Sequence, residues 1–187
     1  GGKVQGRALE PRLFDGNALG ADLARLRPPV IPIPAGLTFT AGEYKQLGLV
    51  MRTWQGRGTA LRIGLRLLGA RLTGRKMLMM GQALIGRLRL SLKKRGIPVW
   101  LDAPMKELIV EGGRITGVRV EKDGQPVEVI ARKGVILAAG CFAHNLDMRL
   151  KYQKQPVTTR WTVASEGNTG DGILAGQRVG AAVDLMD

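Results

Sequence analysis

At 187 residues and 20.2 kDa the chain is long enough to bury a real core, and 44% hydrophobic against 24% charged residues excludes a disordered polymer. One cysteine and one histidine exclude a disulfide framework and a Cys/His zinc site. Twenty-nine Lys+Arg against fifteen Asp+Glu give a net charge of +14, a balance that in a whole protein points to nucleic acid or an anionic membrane surface.

Much of that charge sits between Arg52 and Arg95, so it is a local feature. The longest uncharged run there, Met77 to Gly86, is far short of the roughly 20 residues of a membrane span. The chain starts Gly-Gly-Lys without an apolar leader and ends at Leu185-Met186-Asp187, which reads as an internal piece of a longer, cytoplasmic protein.

Residues 1–40 read as loop. Pro28, Pro29, Pro32 and Pro34 remove backbone donors and bias their predecessors to extended geometry. Residues 42–73 read as helix, with a break expected near Gly56-Arg57-Gly58. From Ala60 onward Leu61, Leu65, Leu68 and Leu72 keep one face apolar, while Arg62, Arg66 and Arg71 stay off it. A second helix is expected from about Lys76 to Lys94, ending where Lys93-Lys94-Arg95 meets the negative end of the dipole and Gly96 supplies a left-handed cap.

Pro98 to Leu101 reads as a short apolar strand. Met105–Glu111, Arg114–Glu121 and Pro126–Arg132 read as three more, joined by Gly112-Gly113 and Asp123-Gly124, pairs suited to tight hairpin turns with positive φ at both positions. The run Gly134-Val135-Ile136-Leu137-Ala138-Ala139-Gly140 has the pattern of a strand buried on both faces. Asn145 to Tyr152 reads as a short helix and Gln153 to Arg160 as loop. Asn168-Thr169-Gly170-Asp171-Gly172 opens a helix to about Val179. The sum is an α/β arrangement.

Two loops can carry chemistry. Ala138-Ala139-Gly140 ends a strand, where open α/β sheets bind ligands, and its small residues admit a close approach to the backbone. The same residues also suit a plain strand-to-helix turn. Thr169-Gly170-Asp171-Gly172 exposes N–H groups at a positive helix end, or is an ordinary cap.

Taken in order, these stretches resemble the FAD-dependent fumarate reductase and 3-ketosteroid dehydrogenase superfamily. The resemblance runs over Gly81–Leu88, Gly96–Leu101, Glu107–Glu111, Ile115–Val118, Gly134–Gly140, Asn168–Gly172 and Gly180-Ala181-Ala182. Residues 6–20 and Asp184–Asp187 look most like the ketosteroid branch. It implies a fragment of a Rossmann-like FAD-binding domain with an antiparallel β-meander over residues 1–145, leading into a substrate (cap) domain over 146–187. The Gly-x-Gly-x-x-Gly phosphate loop of the family does not occur in this chain.

The resemblance also implies roles. The backbone of Met105 pairs with the adenine of FAD, Ala138, Ala139 and Gly140 pack beside the dinucleotide, and Gly170 with Asp171 contacts the cofactor nearer the flavin. Catalytic groups are expected outside this chain, since neither Tyr44 nor Tyr152 sits in a family motif. Cys141 stands where the family usually has a second glycine, and Ala143 where it often has glutamate. A side chain at 141 crowds the cofactor or strains a positive φ, and otherwise reads as a buried inert cysteine. His144 reads as a surface histidine at a helix start.

The implied reaction is dehydrogenation of a steroid-like small molecule, with reduction of an activated double bond, as in fumarate reductases, as the alternative. A reading of another class is a basic amphipathic module, Arg52 to Arg95, in peripheral contact with a membrane surface. Only Trp54 among the aromatics lies in that stretch, so stacking on nucleic acid is not expected.

Overall fold

A computed structural model describes residues 10–29, 33 and 36–186. Expectations for residues 1–9, for Val30–Pro32 and for Pro34 lie outside the described residues. The chain divides into two units, 1–99 and 100–187.

In the first unit, residues 10–40 are not all loop. Phe14–Asp15 forms a two-residue strand, β1, followed by a 3-10 helix over Gly16–Arg25. Asp15 caps that helix by accepting the Asn17 N–H at 3.1 Å, and Gly20 at φ +61° kinks it. Helix α1, Ala41–Leu47, starts in a capping box: Thr40 Oγ1 accepts from the Glu43 N–H, and the Glu43 carboxylate accepts from the Thr40 N–H.

Helix α2 runs from Trp54 to Leu72. The expected break at Gly56–Gly58 lies earlier, between Leu47 and Trp54. The reason is Thr53, whose Oγ1 accepts the Gly56 N–H at 3.0 Å and starts a new helix. Gly56 belongs to the first turn, where a Cβ would stand 2.6 Å from the Leu49 backbone. Arg66 on α2 reaches back to Glu43 at 2.6 Å and to the Thr38 carbonyl at 3.0 Å, so the two helices share one largely shielded ion pair.

Strand β2, Met77–Leu78, pairs antiparallel with β1, setting Phe14 opposite Leu78, and α3, Met80–Lys94, follows. Phe14, Leu19, Leu78 and Ala83 make the core of this unit, with Leu23, Leu26 and Leu90 against it. The apolar stripe of α2 is a different matter: Leu61, Leu65, Leu68 and Leu72 are all more than half exposed.

The second unit is built on the meander β3 (Met105–Glu111), β4 (Arg114–Lys122) and β5 (Gln125–Ile130), in the order β3-β4-β5. Both turns have the expected form, with positive φ at Gly112, Gly113, Asp123 and Gly124. Registers pair Met105 with Val120 and Val118 with Val129. Arg119 bridges Glu128 on β5 and Glu107 on β3, and those carboxylates, Glu128 first, hold its guanidinium pKa above the ordinary value.

Two expected strands do not form. Pro98–Leu101 is irregular. The run Gly134–Gly140 joins neither sheet and is open to solvent along most of its length, with Ile136 93% exposed. A strand buried on both faces needs a ladder partner and covering layers, and no described strand pairs with this run.

Helix α4 spans Leu146–Tyr152 and α5 spans Asp171–Arg178, the latter packed on β3. No helix among the described residues is long and apolar enough to cross a membrane. Mixed helix and antiparallel sheet is therefore the observed class.

Candidate functional site

The structure joins the two loops that the sequence singles out separately. Gly170 donates its N–H to the Cys141 carbonyl at 3.1 Å, and His144 donates its N–H to the Asn168 carbonyl at 2.9 Å. Two glycines make the closeness achievable. At Gly172, the second residue of α5, an added Cβ would stand 3.0 Å from Ala139 Cβ, so the helix start lies directly on the 138–140 loop. At Gly140, φ is +80° and a Cβ would run into Asn168 Oδ1.

The floor beneath is small and apolar. Phe142 and Met148 are buried, Phe142 meets Tyr152 edge-to-face with centroids 6.0 Å apart, and a side chain on Gly170 (φ +83°) would collide with Met148 Sδ. Gln177 of α5 donates to Tyr152 Oη at 3.1 Å, which ties α4 to α5; that bond, helped by Lys151, holds the phenol below its ordinary pKa.

Ala138, Ala139 and Gly140 thus present an exposed strip of small residues beside the N-terminus of α5. Asp171 is exposed at the first position of that helix, where the dipole favours a carboxylate, and one of its oxygens accepts from Thr169 Oγ1 at 2.8 Å. Met105 stands at the head of β3, half-buried, and no hydrogen bond among the described residues ties it to either loop. Five of the six sequence-selected residues therefore gather in one place.

Cys141 is exposed, not buried, and its backbone is not at positive φ; its carbonyl is spent on Gly170. The side chain at 141 therefore brings no left-handed strain. His144 is half-buried rather than a free surface residue, with Nε2 3.0 Å from the Ala164 carbonyl.

Three residues build the site without being singled out as site residues in the sequence, although Asn168 stands in one of the matching stretches. Asn145 holds both α4 and the Thr169 carbonyl. Asn168 fills the space above Gly140. Arg149 donates to the Gln153 side chain at 2.7 Å and to the Thr158 carbonyl at 2.5 Å, and lines a cavity of about 350 Å³ with Cys141, Phe142 and Trp161. Only Asn145, directly ahead of an apolar helix start, left a readable signal as an N-cap.

A dinucleotide fits the residues present. The strip 138–140 carries no side chain larger than a methyl, and the α5 N-terminus beside it, with the exposed Asp171 carboxylate, offers partners for hydroxyl and heterocycle N–H groups rather than for phosphate. Its glycines are already committed to close packing, so the backbone is held in place.

Residues 3–187 match the family model described as FAD binding domain. The chain is 43% identical over 192 residues to the 3-oxosteroid 1-dehydrogenase of Mycobacterium tuberculosis (strain ATCC 25618 / H37Rv), covering 100% of this chain and 34% of that one. It is 35% identical over 106 residues to the NADH:fumarate oxidoreductase of Klebsiella pneumoniae (strain 342), covering 56% of this chain and 11% of that one. In three dimensions it is similar to the 3-ketosteroid delta1-dehydrogenase of Sterolibacterium denitrificans, solved in complex with 1,4-androstadiene-3,17-dione. There the TM-score is 0.79 at 34% identity, over 95% of this chain and 33% of that one. The chain spans about a third of the length of the steroid dehydrogenases it matches. It belongs to the FAD binding domain family, whose cofactor is FAD.

Proposed function

We propose that this chain is part of an FAD-dependent enzyme that removes hydrogens from adjacent carbons of a 3-ketosteroid-like substrate. The observation that carries the reading is the joined pair of loops, 138–142 and 168–172, in a chain similar over its whole length to 3-oxosteroid 1-dehydrogenases. FAD, when bound, supplies the hydride acceptor.

What the chain contributes is binding and orientation. Ala138, Ala139 and Gly140 let the dinucleotide lie against backbone. Gly170 and Asp171 hold it nearer the flavin through the helix start, and the Met105 backbone reads the adenine edge. In this reading Gly134–Gly140 is a strand of a Rossmann-like sheet whose neighbours come from the rest of the protein. Residues 1–145 belong to the FAD-binding domain and 146–187 open the substrate domain. The general base that takes the acidic α-proton stands outside this chain.

The test is anaerobic mixing of the intact, yellow protein with a 3-ketosteroid. Bleaching of the flavin is expected. A flavin that keeps its colour with ketosteroid, but once reduced is reoxidised by an activated double bond, moves the protein to the fumarate reductase type.

A second contact is favoured by α2. Its leucine stripe is exposed and Arg57, Arg62 and Arg71 lie on the same helix, the composition of a helix that rests on an anionic lipid surface. We place the protein in the cytoplasm, in peripheral contact with the membrane. Pelleting with anionic vesicles at low salt and release at high salt is the expected behaviour; no pelleting at low salt removes this contact.

A further inference from the structure

One asparagine side chain is shared between α4 and the loop that carries Gly170 and Asp171. Asn145 Oδ1 accepts the Met148 N–H at 3.0 Å, capping α4, while Nδ2 donates to the Thr169 carbonyl at 2.9 Å, 24 positions along the chain. The amide cannot turn over, because a flip would set an NH₂ against the Met148 N–H and an oxygen against the Thr169 carbonyl. The two neighbouring ties, Gly170 N–H to Cys141 carbonyl and His144 N–H to Asn168 carbonyl, are backbone bonds that use no side-chain polar atom, although the first needs glycine at 170 for its positive φ. The Asn145 donor is therefore the side-chain-specific link in the joint.

We infer that Asn145 is a positioning residue for the cofactor loop: by holding the Thr169 carbonyl inward, it sets the direction of the Asp171 and Gly172 amides at the start of α5, the Gly170 N–H being spent on the Cys141 carbonyl. It does not touch the cofactor. The inference rests on the reading that Gly170 and Asp171 contact FAD.

The two functions of the side chain separate by substitution. Asn145→Ser and Asn145→Asp both keep an oxygen that caps α4, and both lose the long amide donor. In the intact protein, each is expected to weaken FAD binding about tenfold and to shift the visible circular dichroism of the bound flavin, while the thermal midpoint of the FAD-free protein stays close to the parent's. Asn145→Ala loses cap and donor together, and lowers that midpoint as well. Asp171→Ala is measured beside them.

If Asp171→Ala weakens FAD binding but Asn145→Ser leaves affinity within about twofold and the flavin spectrum unchanged, the positioning role is wrong and the loop assignment stands. An effect of Asn145→Asp without one of Asn145→Ser means that charge, not the missing donor, is responsible, which also overturns it. If none of the four variants affects FAD, the loop is not the contact, and the inference falls with the reading beneath it.

Discussion

Residues 105–130 and residues 134–140 follow one another and are both rich in β-branched and aliphatic side chains, yet they meet different partners. Each meander strand finds its neighbour across a two-residue turn, so closure costs little and the ladder forms from local contacts. The run Gly134–Gly140 has no such neighbour: no described strand pairs with it, and Ile136 points to solvent. Strand-forming composition is thus necessary in both places, and decisive only where the chain brings its own partner. The proposed cofactor loop grows from the second kind of segment, which leaves its small residues open beside α5.

This contrast can be broken from either side. The largest loss is expected from Gly117→Val at the centre of the meander, where a Cβ would stand 2.5 Å from the Val129 carbonyl oxygen. The sheet must shift, costing about 3 kcal/mol in urea unfolding. Gly140→Ala comes next, at about 2 kcal/mol, because it adds a left-handed strain to a collision with Asn168. It also loosens the joint between the loops and lowers FAD occupancy in the intact protein, read from the ratio of visible to ultraviolet absorbance.

A control outside both regions is Arg66→Met, about 1.5 kcal/mol, which strands the shielded Glu43 carboxylate. The Arg66 guanidinium holds the Glu43 pKa below the usual carboxylate value. A depressed carboxylate stabilises the fold above its unfolded pKa, and that contribution fades as pH falls through the folded value. The gap between parent and Arg66→Met should therefore narrow in acid; a gap that is constant down to the lowest folded pH would contradict the pair's role. The smallest effect belongs to Ile136→Thr in the 187-residue chain, within about 0.5 kcal/mol, since the side chain is already in water.

Much of the fold was legible because its signals are local. Gly112-Gly113 and Asp123-Gly124 predict the meander, and the cationic end followed by Gly96 predicts the end of α3. The 3-10 helix over Gly16–Arg25 was not legible, since short i→i+3 turns leave no apolar period, although Asp15 at its cap was a usable hint. The break before α2 was misplaced because two glycines looked like a stop, whereas Thr53 sets a start.

For the site, both loops were readable one at a time. Their union was not, because it depends on Gly140 facing Asn168 and Gly172 facing Ala139 across a long separation in sequence. Asn145 escaped for the same reason: its capping role is local, and its bond to Thr169 is not.

The most direct test of the account is amide hydrogen exchange over residues 134–145 and 168–174 of the intact protein, with and without FAD. Joint protection of both segments on adding FAD is the predicted result, weakened in both when Gly140 is replaced by alanine. Exchange that is unchanged by FAD in either segment would contradict the claim that the two loops form one cofactor site.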